Sequence, residues 1–210
     1  MDGFGTAKNF IINPTTLPMR NGKRPITIRG PLHVQCNDYG DYRAMHYLVE
    51  QVLAWPDIEA TPLPIASANL VSLRVAAEAA TDEPHVFIAG REFGRILFGA
   101  PTIYLSLPLG CAHWAIVRGW AEPHFSTNYG LLPPGVMVVY TPRNEQELSV
   151  CRSLFWISYN FSLSERRRDC EEWNTHLLDP MQRTFAEGVS SLEDRLGTLS
   201  SSSMERREAI

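Results

Sequence analysis

The sequence predicts an α+β fold, with a small antiparallel sheet flanked by helices in a single domain. First, 210 residues with 44% hydrophobic content can bury one sizeable core but are too few for two full domains. Second, short β-type runs in the middle of the chain are separated by Gly and Pro. Third, two longer segments repeat apolar residues at helical spacing.

The first 40 residues predict a mostly irregular arm that wraps the core. Residues 1–40 are rich in Gly, Pro, Asn and Thr, and residues 25–28 form the one short β-like run. Residues 41–55 predict a helix, because Met45, Leu48, Val49, Val52 and Leu53 recur at helical spacing and Pro56 ends the run.

Strands are predicted in the middle of the chain. After the Pro-punctuated residues 56–64, the Ala- and Leu-rich residues 68–80 favour a helix. Residues 86–89, 93–98 and 102–107 are rich in β-branched and aromatic side chains and are separated by Gly and Pro. That pattern is typical of consecutive antiparallel strands.

The second half of the predicted domain contains two helices around a buried strand. Residues 112–119 favour a helix with Gly119 as its C-cap, and the continuous apolar run 136–140 predicts a buried central strand. Asn144 is expected to cap a helix that extends to about Leu163. A charged helical segment then completes a domain of residues 41–178, and residues 190–210 lack apolar periodicity and are expected to be disordered.

Composition excludes several classes of function. The formal net charge is −4, and the basic residues are scattered rather than gathered on one face, which argues against nucleic-acid binding. Four cysteines without a CxxC pair and six dispersed histidines indicate neither a disulfide scaffold nor a local metal site. Residues 1–18 resemble neither a signal sequence nor a membrane span, so we expect a cytoplasmic protein.

Three motifs follow one another in the middle of the chain. They are Gly119-Trp120-Ala121-Glu122-Pro123-His124, the Pro- and Gly-rich residues 131–135, and Tyr140-Thr141-Pro142-Arg143-Asn144-Glu145-Gln146-Glu147. In this order and spacing they resemble the fungal luciferase-like family, and the similarity covers residues 91–163.

The resemblance implies a fold and a range of possible activities. Namesake members of the family are similar to cofactor-free oxygenases that act on a reactive, enolisable pyrone. The family places histidines at positions that correspond to Gly94, Ile96 and Tyr104 here, and it commonly begins with a membrane-anchoring helix that has no counterpart in this sequence. The expectation is therefore a soluble, repurposed member.

Three side chains are candidates for catalysis: His124, Tyr104 and Arg143. His124 can exchange a proton near neutral pH or simply tie its loop to backbone groups. Tyr104 keeps a hydrogen-bond donor where the family prefers histidine. Arg143 can bind a carboxylate or carbonyl oxygen, although an ion pair with Glu122 or Glu92 is the favoured interpretation.

The expected substrate-binding set contributes mainly apolar surface. It consists of Trp120, Glu122, Phe125, Tyr129, Ile96 and Phe98. The leading hypothesis is an enzyme of fungal-type secondary metabolism that promotes cyclisation or isomerisation of an apolar small molecule without a cofactor, with a pericyclic, Diels–Alder type of reaction as one form. One alternative is a cofactor-free oxygenase with His124 as base, and the other is a non-catalytic binder of an apolar metabolite. The oligomeric state stays open.

Overall fold

A computed structural model describes residues 14–40, 42–65 and 68–165 of the chain. Its main feature is a six-stranded antiparallel sheet in the order β3-β4-β5-β6-β8-β7, accompanied by a separate ribbon of β1 and β2. The predicted α+β fold, with an antiparallel sheet and flanking helices, is confirmed. The elements are β1 (Thr27–Ile28), β2 (Val34–Gln35), α1 (Tyr42–Leu53), β3 (Ile58–Ile65), β4 (Ala68–Val75), β5 (Glu92–Leu97), β6 (Thr102–Ser106), α2 (Leu109–Val117), β7 (Ala121–Pro123), β8 (Val136–Val139) and α3 (Glu145–Ser162).

Most elements with a strong periodic or capping signal form as predicted. Strands β5, β6 and β8 and helix α1 lie within one or two residues of the expected ranges. Helix α2 begins three residues earlier than expected, and Gly119 follows its last turn with a positive φ of 80°. Asn144 caps α3, since its side chain accepts a hydrogen bond from the Glu147 N–H.

The helix predicted for residues 68–80 is wrong, because this segment contains strand β4. It pairs with β3 along one edge and with β5 along the other, so it lies inside the sheet. Leu70 and Leu73 are buried on opposite faces, and a strand covered on both sides lacks the apolar alternation that identifies a half-exposed strand. Strand β3 falls in the Pro-punctuated residues 56–64, for which the sequence predicted no strand. Its position at the sheet edge is where Pro62 and Pro64 are tolerated.

The strand predicted for residues 86–89 is also wrong. Pro84–Val86 is a 3₁₀ turn, and Ala89 makes only an isolated bridge with Glu92. The Ile88 N–H donates to the Glu92 carbonyl, and Gly90 adopts a φ of 57° between them. The segment therefore folds back as a tight turn onto the first residue of β5 instead of continuing as an extended strand.

The two faces of the sheet have different coverings. A Cβ on Gly94 would meet Phe155 of α3, which identifies the helix face of β5. The Ser158 hydroxyl of α3 lies 2.8 Å from the Phe93 carbonyl oxygen and 2.7 Å from the Ser106 carbonyl oxygen on this side, and it shares its one proton between them. Because side chains alternate along a strand, Tyr104 lies on the opposite face, which we call the arm face.

The arm covers that opposite face. Its described part, residues 14–40, contains the ribbon of β1 and β2, so the β-like run expected at residues 25–28 corresponds to β1. The Gln35 N–H donates to Thr102 Oγ1, and the Gln35 side chain accepts from the Thr141 N–H. The helical segment expected up to residue 178 continues outside the described residues, as do residues 1–13 and the tail expected at 190–210.

In residues 14–40, 42–65 and 68–165, no helix has the length and apolar character that crossing a membrane requires.

Candidate functional site

A row of residues crosses the arm face of the sheet at one level. Arg95 pairs with Tyr104, Tyr104 pairs with Val138, and Val138 pairs with Glu122. Cross-strand partners lie side by side on the same face. Across strands β5, β6, β8 and β7, the sheet therefore presents a guanidinium, a phenol, an apolar side chain and a carboxylate, in that spatial order. We call this set the polar row. His124 lies two residues beyond Glu122, and its ring packs edge-on against Tyr104 with 4.8 Å between centroids.

The arm adds a second imidazole to the polar row. His33 is fully buried, and its ring centroid lies 5.5 Å from that of His124. Its Nε2 atom is 2.6 Å from Oε1 of Glu122, and its Nδ1 atom accepts a hydrogen bond of 3.0 Å from the Phe125 N–H. Since Nδ1 is an acceptor, the proton of the neutral ring lies on Nε2, where it donates to Glu122.

Glu122 is held as a carboxylate by several donors. Burial alone would raise the pKa of this carboxyl group, but hydrogen bonds from His33 and Thr27, together with the charge of Arg29, outweigh burial and lower the pKa to about 2. The Thr27 hydroxyl donates at 2.5 Å, and Arg29 Nη2 lies 3.6 Å from the second carboxylate oxygen. Glu122 therefore serves as a fixed anion and has little capacity to accept a proton at neutral pH.

His124 is buried, and one of its nitrogens is committed to the backbone. It caps the 3₁₀ turn Phe125–Tyr129, because its Nδ1 atom accepts from the Ser126 N–H at 3.2 Å. The proton of the neutral ring consequently lies on Nε2, which has no hydrogen-bond partner among the residues of the described ranges. Burial, followed by the effects of His33 and Arg95, lowers the pKa of His124 to about 4. At neutral pH the ring therefore offers an N–H donor at Nε2.

The hydroxyl of Tyr104 is already used within the protein. It donates a hydrogen bond of 3.0 Å to the His33 carbonyl oxygen. Burial raises the pKa of this phenol to about 12, so it remains a donor over the physiological pH range. The Tyr104 side chain thus joins the arm to the sheet and packs against His124.

Arg143 forms ion pairs, but with carboxylates other than Glu122 and Glu92. It contacts Glu147, with Nε at 3.0 Å from Oε1, and Asp38 of the arm, with Nη1 at 3.0 Å from Oδ2. The alternative partners are engaged elsewhere, because Arg95 binds Glu92 through two hydrogen bonds. Arg143 lies just before the start of α3 and one helical turn from Glu147. Asp38 reaches Arg143 because the arm passes over the start of this helix.

The expected substrate-binding residues separate into three locations. Glu122 and Phe125 belong to the polar row and its adjoining turn. Trp120 is buried at the base of the arm, where its Nε1 donates to the Pro18 carbonyl at 2.6 Å. The Tyr129 ring lies 5.0 Å from that of Phe125 and is 64% exposed.

Ile96 and Phe98 are not brought to the polar row. Ile96 is fully buried on the helix face of β5, together with Gly94, whereas Tyr104 faces the arm. Phe98 stacks on His46 of α1, with 4.7 Å between ring centroids. The three positions at which the family is expected to have histidines are therefore distributed over both faces of the sheet in this chain.

Four contributors were not singled out from the sequence: His33, Thr27, Arg29 and Arg95. Arg95 belongs to a predicted strand, but its position next to Tyr104 depends on the register between β5 and β6, which the sequence does not give. Thr27 lies in the short β-like run expected at residues 25–28, whereas Arg29 and His33 lie in the part of the arm expected to be irregular. A usable signal is present, because Gly30-Pro31 separates two short stretches, residues 26–29 and 32–35, in which apolar and polar residues alternate, as in a two-stranded ribbon.

The described side chains do not meet the requirements of a metal site. In the described ranges, no three His, Cys, Asp or Glu side chains are grouped so that they could hold a metal ion.

Fold and site together define an α+β protein in which an antiparallel sheet carries a buried His, Glu and Tyr cluster beneath an N-terminal arm. Residues 90–158 match the family model described as Luciferase domain, and the predicted resemblance to a luciferase-like family is confirmed over this segment. The matched segment contains the polar row and His124 but not His33. No curated protein and no solved structure matches the chain.

Proposed function

We propose that this protein is an enzyme that binds an apolar small molecule bearing a conjugated carbonyl group and promotes a redox-neutral cyclisation or isomerisation, as in secondary metabolism. The carrying observation is the state of His124: its Nδ1 atom is committed to the Ser126 N–H, which leaves an Nε2–H donor. A neutral imidazole of low pKa can polarise a carbonyl oxygen without transferring its proton. The reaction then needs confinement and one hydrogen bond, and it requires no cofactor.

A guanidinium lies near His124 on the same face of the sheet. Arg95 and His124 both adjoin Tyr104, one as its cross-strand partner and the other through ring packing. Arg95 also binds Glu92 through two hydrogen bonds, so its charge is largely compensated and its contribution to an oxygen polarised by His124 is secondary to the Nε2–H donor. Glu122 remains an anion, but its contacts are with His33, Thr27 and Arg29 and not with His124.

Apolar side chains next to His124 support an apolar substrate. Phe125 and Tyr129 form an aromatic pair in the turn that His124 caps, and Leu131 follows with 75% exposure. Exposed apolar groups beside polar atoms are typical of binding regions. Because His124 itself is 3% exposed, binding requires the Phe125–Tyr129 turn or the arm to move outward.

Two substitutions of His124 separate donation of a hydrogen bond from general-base catalysis. His124→Asn retains an acceptor for the Ser126 N–H and a residue that is favourable at a helix N-cap, but it lacks a donor at the position of Nε2. His124→Gln places an amide N–H near that position and cannot act as a base. We expect kcat to fall by about 10²–10³ in His124→Asn and to be largely retained in His124→Gln.

The assay uses a panel of conjugated carbonyl compounds with linear polyene or dienophile parts, under nitrogen and with a chelator present. The expected product has the same mass as the substrate. Equal loss of activity in both variants would contradict hydrogen-bond donation, and recovery of unchanged substrate with measurable binding would identify a binding protein instead.

A cofactor-free oxygenase is the second candidate, and the match of residues 90–158 to the Luciferase domain model favours it. In that reaction His124 would have to accept a proton from an enolisable substrate. The free Nε2 atom would then need to be unprotonated, which removes the acceptor for the Ser126 N–H. Oxygen consumption and a product heavier by oxygen would support this candidate, whereas unchanged turnover under nitrogen would exclude it.

A further inference from the structure

His33 contacts each part of the candidate site through a different atom. Its Nε2 faces Glu122 at 2.6 Å, its Nδ1 accepts from the Phe125 N–H at 3.0 Å, and its carbonyl oxygen accepts from the Tyr104 hydroxyl at 3.0 Å. The residue is fully buried and lies outside the segment that matches the family model. A single arm residue is thus bonded to two strands and to the turn after His124.

The bonds of His33 and His124 converge on the same turn. Consecutive backbone donors at its start, the Phe125 N–H and the Ser126 N–H, are accepted by Nδ1 of His33 and Nδ1 of His124. These N–H groups have no partner within the turn, as is general for the first residues of a helix. The orientation of one imidazole therefore constrains the backbone that orients the other.

The carboxylate of Glu122 fixes the direction of the His33 ring. With Nε2–H directed at Oε1 of Glu122, the lone pair on Nδ1 is directed toward the Phe125 N–H. This is the arrangement in which a carboxylate orients one nitrogen of a histidine and thereby selects the role of the other. The carboxylate of Glu122 is itself held by two other residues of the arm, Thr27 and Arg29.

We propose that His33 is a positioning residue, which, oriented by Glu122, holds the Phe125 backbone so that His124 keeps its Nε2–H tautomer and its direction. The catalytic consequence rests on the proposed function, whereas the effect on His124 does not. The arm is therefore part of the functional unit, and the segment that matches the family model supplies only one of the two imidazoles.

Two substitutions of His33 separate its two side-chain bonds. His33→Asn keeps an oxygen near the position of Nδ1, so it can still accept from the Phe125 N–H, but it does not reach Glu122. His33→Gln keeps an amide donor near the position of Nε2 for Glu122 and loses the acceptor for Phe125. The readout is the nitrogen chemical shifts of His124 in the full chain, which report its tautomer and its pKa without any substrate.

In the wild type and in His33→Asn we expect one tautomer of His124, protonated at Nε2. In His33→Gln we expect a mixture of tautomers and a His124 pKa that rises toward its ordinary value of about 6.5. With an active substrate, His33→Gln should lower kcat by about tenfold to a hundredfold with a smaller change in KM. Unchanged His124 signals in His33→Gln, or equal changes in both variants, would overturn the proposal.

A measurement on the wild-type protein keeps the test valid if either variant fails to fold. The hydrogen bond from Phe125 N–H to His33 Nδ1 joins two nitrogens, so it should give a scalar coupling across the bond and slow exchange of the Phe125 amide proton. Absence of both signals would refute the positioning role. Failure to find turnover with any substrate would instead leave these signals intact and count only against the proposed function.

Discussion

Nε2 of His33 lies 2.6 Å from Oε1 of Glu122, although 89 residues separate them in the chain. The contact joins the arm to edge strand β7, two residues before His124. Two buried imidazoles, a carboxylate and a phenol are thereby gathered on one face of the sheet. The charge states of this cluster and the attachment of the arm should therefore depend on each other.

Replacement of Glu122 by Gln should change how stability depends on acid. Its pKa is lowered to about 2 in the folded protein, so the carboxylate contributes stability above its unfolded pKa of about 4.5, and this contribution is lost as pH falls toward 2. Glu122→Gln should be less stable than wild type at pH 7 but should lack this part of the acid dependence. Urea unfolding between pH 2 and pH 5 measures both, with the exposed Glu78→Gln as the control. An unchanged pH profile in Glu122→Gln would contradict the assignment.

His124 should influence stability in a higher pH range. Its folded pKa of about 4 lies below the unfolded value of 6.5, so the unfolded chain binds the extra proton between these pH values. Stability should therefore fall as pH drops from about 6.5 to about 4, by at most on the order of 2–3 kcal/mol. His124→Asn, which keeps the cap, should remove this component. Wild-type stability that is flat between pH 4 and pH 6.5 would argue against a neutral His124.

Gly40 should be intolerant of any side chain. A Cβ at this position would lie 1.5 Å from the Pro142 carbonyl oxygen, where the arm crosses the start of α3. Gly40→Ala should lower the free energy of unfolding by about 1–3 kcal/mol or more and loosen the arm. Gly30→Ala is the matched control, because the nearest atom to its Cβ is 3.9 Å away. Thermal unfolding and limited proteolysis of the arm measure the difference, and equal behaviour of the two variants would disprove the close crossing.

Arg143 should matter for stability more than for turnover. It links Glu147 of α3 to Asp38 and to the Asn21 carbonyl of the arm. Arg143→Met should destabilise the protein by about 1–3 kcal/mol, because the buried Glu147 loses a partner with several hydrogen bonds. Lys23→Met, at an exposed arm position, is the control. A large fall in kcat with unchanged stability would instead support a catalytic role.

Local signals were sufficient for part of the fold. The apolar run that became β8 and the Asn144 cap of α3 depend on neighbours in sequence, and both elements formed as predicted. Strand β4 was misassigned because both of its faces are covered, which removes the alternation that marks a half-exposed strand. The segment at 86–89 was misassigned because a turn around Gly90 overrides the β propensity of its residues.

The candidate site was only partly predictable for a different reason. Glu122 and His124 belong to a motif of adjacent residues, so their proximity could be read from the sequence. His33 joins them through a contact that depends on how the arm crosses the sheet, and Arg95 joins through the register of β5 with β6. Which side of a strand a residue faces is also undetermined until register is known, and this separates Ile96 from Tyr104.

The prolines at the margins of the main sheet have a consequence for association. In β3, Pro62 and Pro64 are two residues apart, so both lack an N–H on the same side of the strand, and the intact ladder with β4 requires that side to be the outer one. Strand β7, at the opposite margin, has three residues and ends in Pro123. An extended peptide or a second sheet would find few backbone donors at either margin. Association through these two strands must therefore depend on side-chain surfaces instead of added β pairing.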